Sequence, residues 1–590
     1  MVPEPLTASR GVAGSIPTGT NRRRFDTNPA PTCADFPTRL KLWWVVEAGP
    51  GHRSGAAGAV RSGSYTRRVE ERDRRRRLAW STAIFSLATG ISRVLGLVRE
   101  VVVANYFGAR GPINAFTIAF QIPNLVRALV ADAALSGAFV PVFSELLERG
   151  ERARAWRVAS TIFWLLLLGL SAVTAVFILL APLIVPLMTD AYDDLAVTLA
   201  QILFPIVVLL GLFGVIVGIL NSYEQFSIPA LTPVFWNLVI IAGVVIGVPR
   251  ADTAEGELYV YAGSIVIATL VQLLLPFPWL YGLDGRLRLA LDVRDPAVRR
   301  VFVHMAPVTL GLGLINVSAV IGTIFAAKLV DPTIAPNAID KAFRVYMLPQ
   351  GMFSVAIATV LFPTLSRLAA RADIGGFRAT VSLGLRQIVF LLVPAGVASA
   401  VLAEPIVRLL YERGEFGPDQ TPVVAGALAA FSLGLVFNGM MLMLNRGFFS
   451  LQAPWTPTWA ALASLVLNVA LYAVFYRVGT WGIPFAISLS NVAGAALLVA
   501  LLRRRIGGLS LRPTIRTLVL VAIASAVLAV VSYGVWRALD DALGRSTLAQ
   551  IASLGAGLAS GGAVYLISCR LLGVHELGAL LSLRTRLRRA

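Results

Sequence analysis

Five charged residues stand where the chain is otherwise apolar enough to lie in a membrane. Arg93, Arg99 and Glu100 fall in "ISRVLGLVRE", between the runs "LAWSTAIFSLATG" and "VVVANYFG". Arg127 falls in "QIPNLVRALVADAAL", and Arg344 in "AIDKAFRVYMLPQG". An arginine at bilayer depth costs roughly 2.5–3.5 kcal/mol on insertion scales, so it is kept for a purpose or paired. A guanidinium forks onto phosphate with two bonds and stays charged at every relevant pH. Several of them converging on a cleft would hold an anionic headgroup, with phosphate or pyrophosphate the chemistry to expect.

Each arginine also has a plain structural reading, in which it snorkels to an interface or pairs with a nearby acid. Arg344 has Asp340 one turn earlier. Arg127 lies about fourteen residues, or about 20 Å of helix, from either end of its span. That is too far for easy snorkelling, and Asp132 is off its face. On a helix Arg93 and Arg99 point about 120° apart, whereas Arg93 and Glu100 share a stripe two turns apart. A bend at Gly96 would turn both arginines inward. Otherwise Arg99 is the expected headgroup contact, and Arg93 is structural and paired toward Glu100.

Other chemistries find no support. Cys33 and Cys569 are far apart, and His52, His304 and His575 are scattered, so no metal site of the His/Cys kind is expected. A carboxylate pair, a Ser/His arrangement and a Gly-rich phosphate loop are absent. None of the three lysines follows Gly or precedes Ser or Thr, which excludes a P-loop. The chain reads as a transporter without a cofactor rather than an enzyme, driven by an ion gradient, the membrane potential or the substrate gradient.

The elements that must position these residues are membrane spans. Hydrophobic residues make up 57% of the 590, charged residues only 14%, and the mean hydropathy is +0.75. A soluble protein has about 25% charged residues. The net charge of +20 lies in arginines clustered between apolar runs, which is a membrane-topology pattern and not a nucleic-acid one. Residues 1–77 are rich in Pro, Gly, Ser and Arg without periodicity and read as a disordered basic tail. From residue 78 onward fourteen spans are expected. Basic connections such as "ERGERARAWR" and "GRLRLALDVRDPAVRR" alternate with acidic or neutral ones such as "TDAYDDL" and "ERGEFGPDQ". That alternation places both termini in the cytoplasm.

The spans carry an internal repeat. "FVPVFSELLERG" at 139–150 resembles "LFPTLSRLAARA" at 361–372, an offset of 222. "LNSYEQFSIPALTP" at 220–233 resembles "LNRGFFSLQAPWTP" at 444–457, an offset of 224. A duplicated unit of six spans begins and ends on one side of the membrane, so its copies form parallel repeats. Two such bundles leave a cleft that rocking exposes to each side in turn. The expected architecture is an all-α polytopic membrane protein of about 14 transmembrane helices. It has an N-lobe at 78–282 and a C-lobe at 283–502, each of six helices. Two extra helices and a basic C-terminal tail occupy 503–590.

"SRVLGLVRE" and the stretch "FGARGPINAFTIAFQIPNLVRALVADAALSGAFVPVFSELLERG" resemble the signature of the MurJ (MviN) lipid II flippases of bacterial cell-wall synthesis. These belong to the multidrug/oligosaccharidyl-lipid/polysaccharide exporter superfamily. "AFRVYMLPQGMFSVAIATVLFPTLS" is similar to that family's eighth span, and "YERGEFGPDQT" to a loop before the tenth. The resemblance covers about 78–575. It implies two six-helix lobes around a cationic cavity and translocation of undecaprenyl-pyrophosphate-linked disaccharide-pentapeptide to the outer leaflet by alternating access. It also implies a lipid-tail groove on spans 13 and 14. The family's important arginines fall on Arg93, Arg99, Arg127 and Arg344, and its acid on Glu100.

Two positions depart from the family. Asn114 stands where some relatives have Asp, which puts a carboxylate's role there in doubt. Some members bind sodium through acids in spans 7 and 11. Here the matching positions are Gly322 and Tyr472, with Asn468 kept, so a sodium site of that form is not expected. The implied partner is lipid II, with the cell-wall synthesis machinery as a further one and no nucleic acid. The implied location is the bacterial plasma (inner) membrane. The alternatives are a flippase for another polyprenyl-linked glycan and a non-transporting cell-wall scaffold. An exporter of cationic drugs would want buried acids, which the spans offer sparingly.

Overall fold

The computed structural model describes residues 87–130 and 133–578. The N-terminal tail and the basic end of the C-terminal tail lie outside them, as does Asp132. Among the described residues every regular element is a helix. The first half contains α1 (87–107), α2 (Ile113–Val130), α3 (Ala133–Glu148), α4 (Arg152–Ile184), α5 (Asp193–Leu203), α6 (Ile206–Ser222), α7 (Ser227–Gly247) and α8 (Ala254–Leu274). The second half contains α9 (Pro296–Phe325), α10 (Ala335–Pro349), α11 (Val355–Ala370), α12 (Ile374–Val401), α13 (Ala403–Tyr411), α14 (Thr421–Leu433), α15 (Leu435–Ser450), α16 (Trp455–Phe475) and α17 (Gly482–Arg505). Then come α18 (Arg512–Leu543) and α19 (Thr547–Leu571).

Ten helical stretches among the described residues are long and apolar enough to cross a membrane. There are eleven if α14 and α15, bent by 45°, form one span. Fourteen, the number that the loop charges require, needs three more crossings: at 87–107, at α2 with α3, and at α9. The described residues of all three stretches are helical. The bend between α14 and α15 falls at Gly434, where a Cβ would come within 2.7 Å of Ser488 Cα on α17. Ser488 Oγ donates to Ala430 O at 2.6 Å across the same contact. The helical run from Ile374 to Tyr411 breaks at Leu402, between α12 and α13. Pro405, three residues on, has no N–H for Val401 O and its ring crowds that carbonyl, so the helix cannot run through.

The repeat is visible element by element. α2, α3 and α4 start at 113, 133 and 152, and α10, α11 and α12 start at 335, 355 and 374, an offset of 222 each time. The left-handed residues that end α3 and α11, Gly150 and Ala372, keep that offset. α7 and α16, and α8 and α17, are separated by 228. This corrects the offset of 224 read from "LNSYEQ" and "LNRGFF". The left-handed Glu224 matches Gln452, and the helix ends Ser222 and Ser450 match each other, all at 228. The sequence match had slipped by four residues, about one helical turn, which leaves the apolar face in register.

Two large apolar cores account for the packing. One joins residues from Val103 to Val301 and the other residues from Ile334 to Val574. The cores exchange ends: Ala104 and Ala109 belong to the second, while Ala297, Val298 and Val301 of α9 belong to the first. α9 therefore packs on α2 and α3 as well as on α16. The pair α18–α19 lies on α12 and is clipped at both ends. Arg408 of α13 forms a buried ion pair with Asp540, and Arg386 Nε lies 2.8 Å from Glu576 Oε1.

Candidate functional site

Arg99 sits on the buried face of α1, and its Nη2 donates to Glu100 Oε1 at 2.5 Å. Its guanidinium also lies 4.7 Å from the Trp236 ring centroid, a cation–π contact that replaces part of the lost hydration. Arg344 reaches the same carboxylate from α10, with Nη1 3.0 Å from Glu100 Oε1. Its Nε donates to Asp340 Oδ2 at 2.8 Å. Glu100 is thus one anion shared by two guanidinium groups from opposite halves of the chain, and the pairing of Arg344 with Asp340 is present as well.

Lys341 completes the cluster and was missed in the sequence. It is only 1% exposed, with Nζ 5.3 Å from the Tyr411 ring centroid. With Glu100, Asp340, Arg344, Asn337 and Tyr261 it lines a cavity of about 30 Å³. That volume admits about one or two water molecules. The signal was present: among 52 basic residues three are lysine, and Lys341 alone of them falls amid charged residues of a span. Formally the cluster holds three cations (Arg99, Lys341, Arg344) against two anions (Glu100, Asp340).

Arg93 and Arg127 are not in this cluster. Arg93 is exposed, with its guanidinium against the π-helical turn 350–354 that follows α10; a Cβ on Gly351 would lie 3.1 Å from Arg93 Nη1. The expected pairing of Arg93 with Glu100 does not form, because Arg99 and Arg344 hold that carboxylate. The helix keeps Arg93 and Arg99 on diverging faces, as the spacing requires. Arg127 is half-buried, and its Nε and Nη2 both donate to Asn124 Oδ1, at 3.1 and 2.9 Å. It follows Phe120, a cavity-lining residue, by seven positions, so it lies on the same stripe about 10 Å further along α2.

A neutral seal lies beyond the cluster, at the end of the spans that carries the acidic loops. Asn114 Nδ2 donates to Ala109 O, Gly111 O and Thr333 O, at 3.1, 3.0 and 2.6 Å. Asn114 Oδ1 accepts from Asn337 N at 2.9 Å, and Asn337 Nδ2 donates to Thr117 Oγ1 at 2.8 Å. The Asn114 amide thus works as donor and acceptor together, which a carboxylate cannot do. Further out the seal is main chain: Gly111 N donates to Thr333 O at 2.7 Å and Glu415 N to Asn105 O at 2.9 Å. Ala109 N donates to Gln420 Oε1 at 2.6 Å. Between spans 7 and 11 the packing is also neutral. Tyr472 lies over Gly322, with its Oη 3.5 Å from Ser318 Oγ, and Asn468 Nδ2 donates to that Oγ at 3.2 Å.

The family model described as "Lipid II flippase MurJ" matches residues 103–551. A protein of that name from Burkholderia cenocepacia is 31% identical over 428 residues, which cover 71% of this chain and 82% of that relative. Among solved structures, "Lipid II flippase MurJ, inward closed conformation" aligns with a TM-score of 0.68 at 23% identity. It covers 83% of this chain and 99% of its own. An inward-facing multidrug resistance MATE family transporter of the MOP superfamily aligns with a TM-score of 0.55 at 18% identity, over 72% of this chain and 94% of its own.

Proposed function

The chain belongs to the lipid II flippase MurJ family, and from that premise we propose that it carries lipid II from the cytoplasmic to the outer leaflet of the bacterial plasma membrane. The observation that carries the reading is the meeting of Arg99, Glu100, Lys341 and Arg344 between the two halves of the chain. A pyrophosphate entering there would take over the guanidinium groups that now share Glu100. The reading assigns the halves 78–282 and 283–502 to rocking lobes and 503–590 to an appended pair for the lipid tail. It puts both termini and the basic loops on the cytoplasmic side. The sealed end then faces outward, and a cavity of about 30 Å³ is far too small for a saccharide headgroup. Opening toward the basic loops admits the headgroup along Arg127 and Arg93, with Arg99 and Arg344 deeper. Separation of the Asn114 and Asn337 contacts releases it outward.

Complementation tests this reading. A bacterium depleted of its own flippase should be rescued by the wild-type chain. It should not be rescued by Arg127→Ala or Arg344→Ala variants present in the membrane at equal levels. Failure of the well-expressed wild type counts against lipid II as the cargo. Rescue by both variants rejects their place in the headgroup path.

A further inference from the structure

The connection between α8 and α9 carries side chains that neither the cores nor the cluster uses. Leu289, Leu291 and Val293 are 80%, 53% and 58% exposed, and the interleaved or flanking Arg286, Arg288 and Arg294 are exposed too. Three large apolar side chains in the open on a non-helical segment oppose the hydrophobic effect unless something apolar receives them. The segment is held firmly in this presentation. Arg288 N and Asp292 N donate to Ser160 Oγ and Thr161 Oγ1 of α4, both at 3.1 Å, and Trp164 Nε1 donates to Arg288 O at 3.0 Å. At its end Arg154 forks onto Asp295, at 2.9 and 3.0 Å.

Its depth follows from α4. The exposed apolar residues of that helix and its last turn run from Leu168 to Leu187. Nineteen steps at 1.5 Å span about 29 Å, which matches a hydrocarbon core of about 30 Å. The hydrocarbon edge at the basic end therefore lies near Leu168. Thr161 and Trp164, where the segment is docked, sit four to seven residues outside it, about 6–10 Å. That is the headgroup layer, where amphipathic segments settle with apolar groups inward and basic groups among lipid phosphates. We propose that residues 286–294 form a membrane-surface anchor, with Leu289, Leu291 and Val293 in the interface and the three arginines on anionic phospholipid headgroups. The charges choose the occupant: each arginine at an anionic surface is worth about fivefold in binding.

The test is independent of what the chain transports. A Leu289→Cys variant of the full chain, with Cys33→Ser and the buried Cys569 left in place, is labelled with a polarity-sensitive fluorophore. It is then reconstituted in vesicles of phosphatidylcholine with or without phosphatidylglycerol. With phosphatidylglycerol present, a nitroxide lipid should quench the label as it quenches one at Leu168→Cys, and iodide should not. Combining Arg286→Gln, Arg288→Gln and Arg294→Gln should remove the dependence on phosphatidylglycerol. Iodide quenching equal to that of a label at Asp541→Cys, on the opposite end, overturns the anchor. Equal shielding in phosphatidylcholine alone overturns its preference for anionic lipid. Shielding that grows with protein density rather than with anionic lipid assigns the surface to a second copy and also overturns it.

Discussion

Glu100→Gln is the most informative single change, because it removes a charge and keeps the shape. Glu100 neutralises Arg99 from its own helix and Arg344 from the other half of the chain. Without it the cluster changes from three cations against two anions to three against one. Removing one partner of a buried pair costs about 3–5 kcal/mol. The Arg344 side chain is 36% exposed and regains some hydration, so the lower end applies, about 3 kcal/mol. At 1.36 kcal/mol per decade, that shifts the balance between the sealed and separated arrangements by about 10²-fold. The seal can be followed with nitroxides at Arg110→Cys and Asp419→Cys, an exposed pair 3.6 Å apart, in a Cys33→Ser chain in vesicles. Wild type should show strong dipolar broadening, and Glu100→Gln should lose most of it and translocate lipid poorly. Two results would refute the reasoning: no broadening in wild type, or unchanged broadening with unchanged translocation in the variant.

The remaining expectations concern other parts of the fold. Arg408→Met leaves Asp540 buried without its cation and should cost about 3–5 kcal/mol, seen as a lower melting temperature in detergent. Pairing it with Asp540→Leu should restore most of the loss. Lys341→Met should slow translocation yet leave the melting temperature within a few degrees, as measured on one preparation; unfolding would show the lysine to be structural only. Asp295 gives an acid response, because the Arg154 hydrogen bonds hold its carboxyl below the usual carboxylate range. A depressed acid adds stability above its unfolded pKa, about 3.9, and loses it as the pH falls through the folded value. Melting curves should therefore show a loss below about pH 4 that Asp295→Asn lacks.

Part of this site is legible in the sequence. Arg99, Glu100 and Arg344 stood out because a charge in an apolar run is costly wherever the run folds, and helix periodicity separated Arg93 from Arg99. The repeat was legible too, although one of its two matches was displaced by a turn. Lys341 was not singled out, because beside Asp340 and Arg344 it reads as one more polar residue near a span end. Its burial, with Nζ over the Tyr411 ring and Glu100 in the same cavity lining, comes from packing between distant parts of the chain. The bonds of Asn114 to Thr333 and Asn337 join neutral groups 219 and 223 residues apart. Neutral amides leave no charge or periodic mark, so their meeting depends on the whole fold. The docking of 288–292 on α4 was hidden for the same reason: its partners there are two hydroxyls and an indole.

The outer seal bears on how freely this chain can change over generations. At Asn105 and Glu415 the bond runs between main-chain atoms, so it is blind to which side chains those positions carry. The load falls instead on residues that must stay small. Gly108 and Gly414 both hold left-handed backbone, and a Cβ on either would press within 2.6 and 2.1 Å of Glu415 O and Asn105 O. A variant library across 105–111 and 412–420 should therefore accept wide chemistry at Asn105 and Glu415. At the two glycines it should accept almost none.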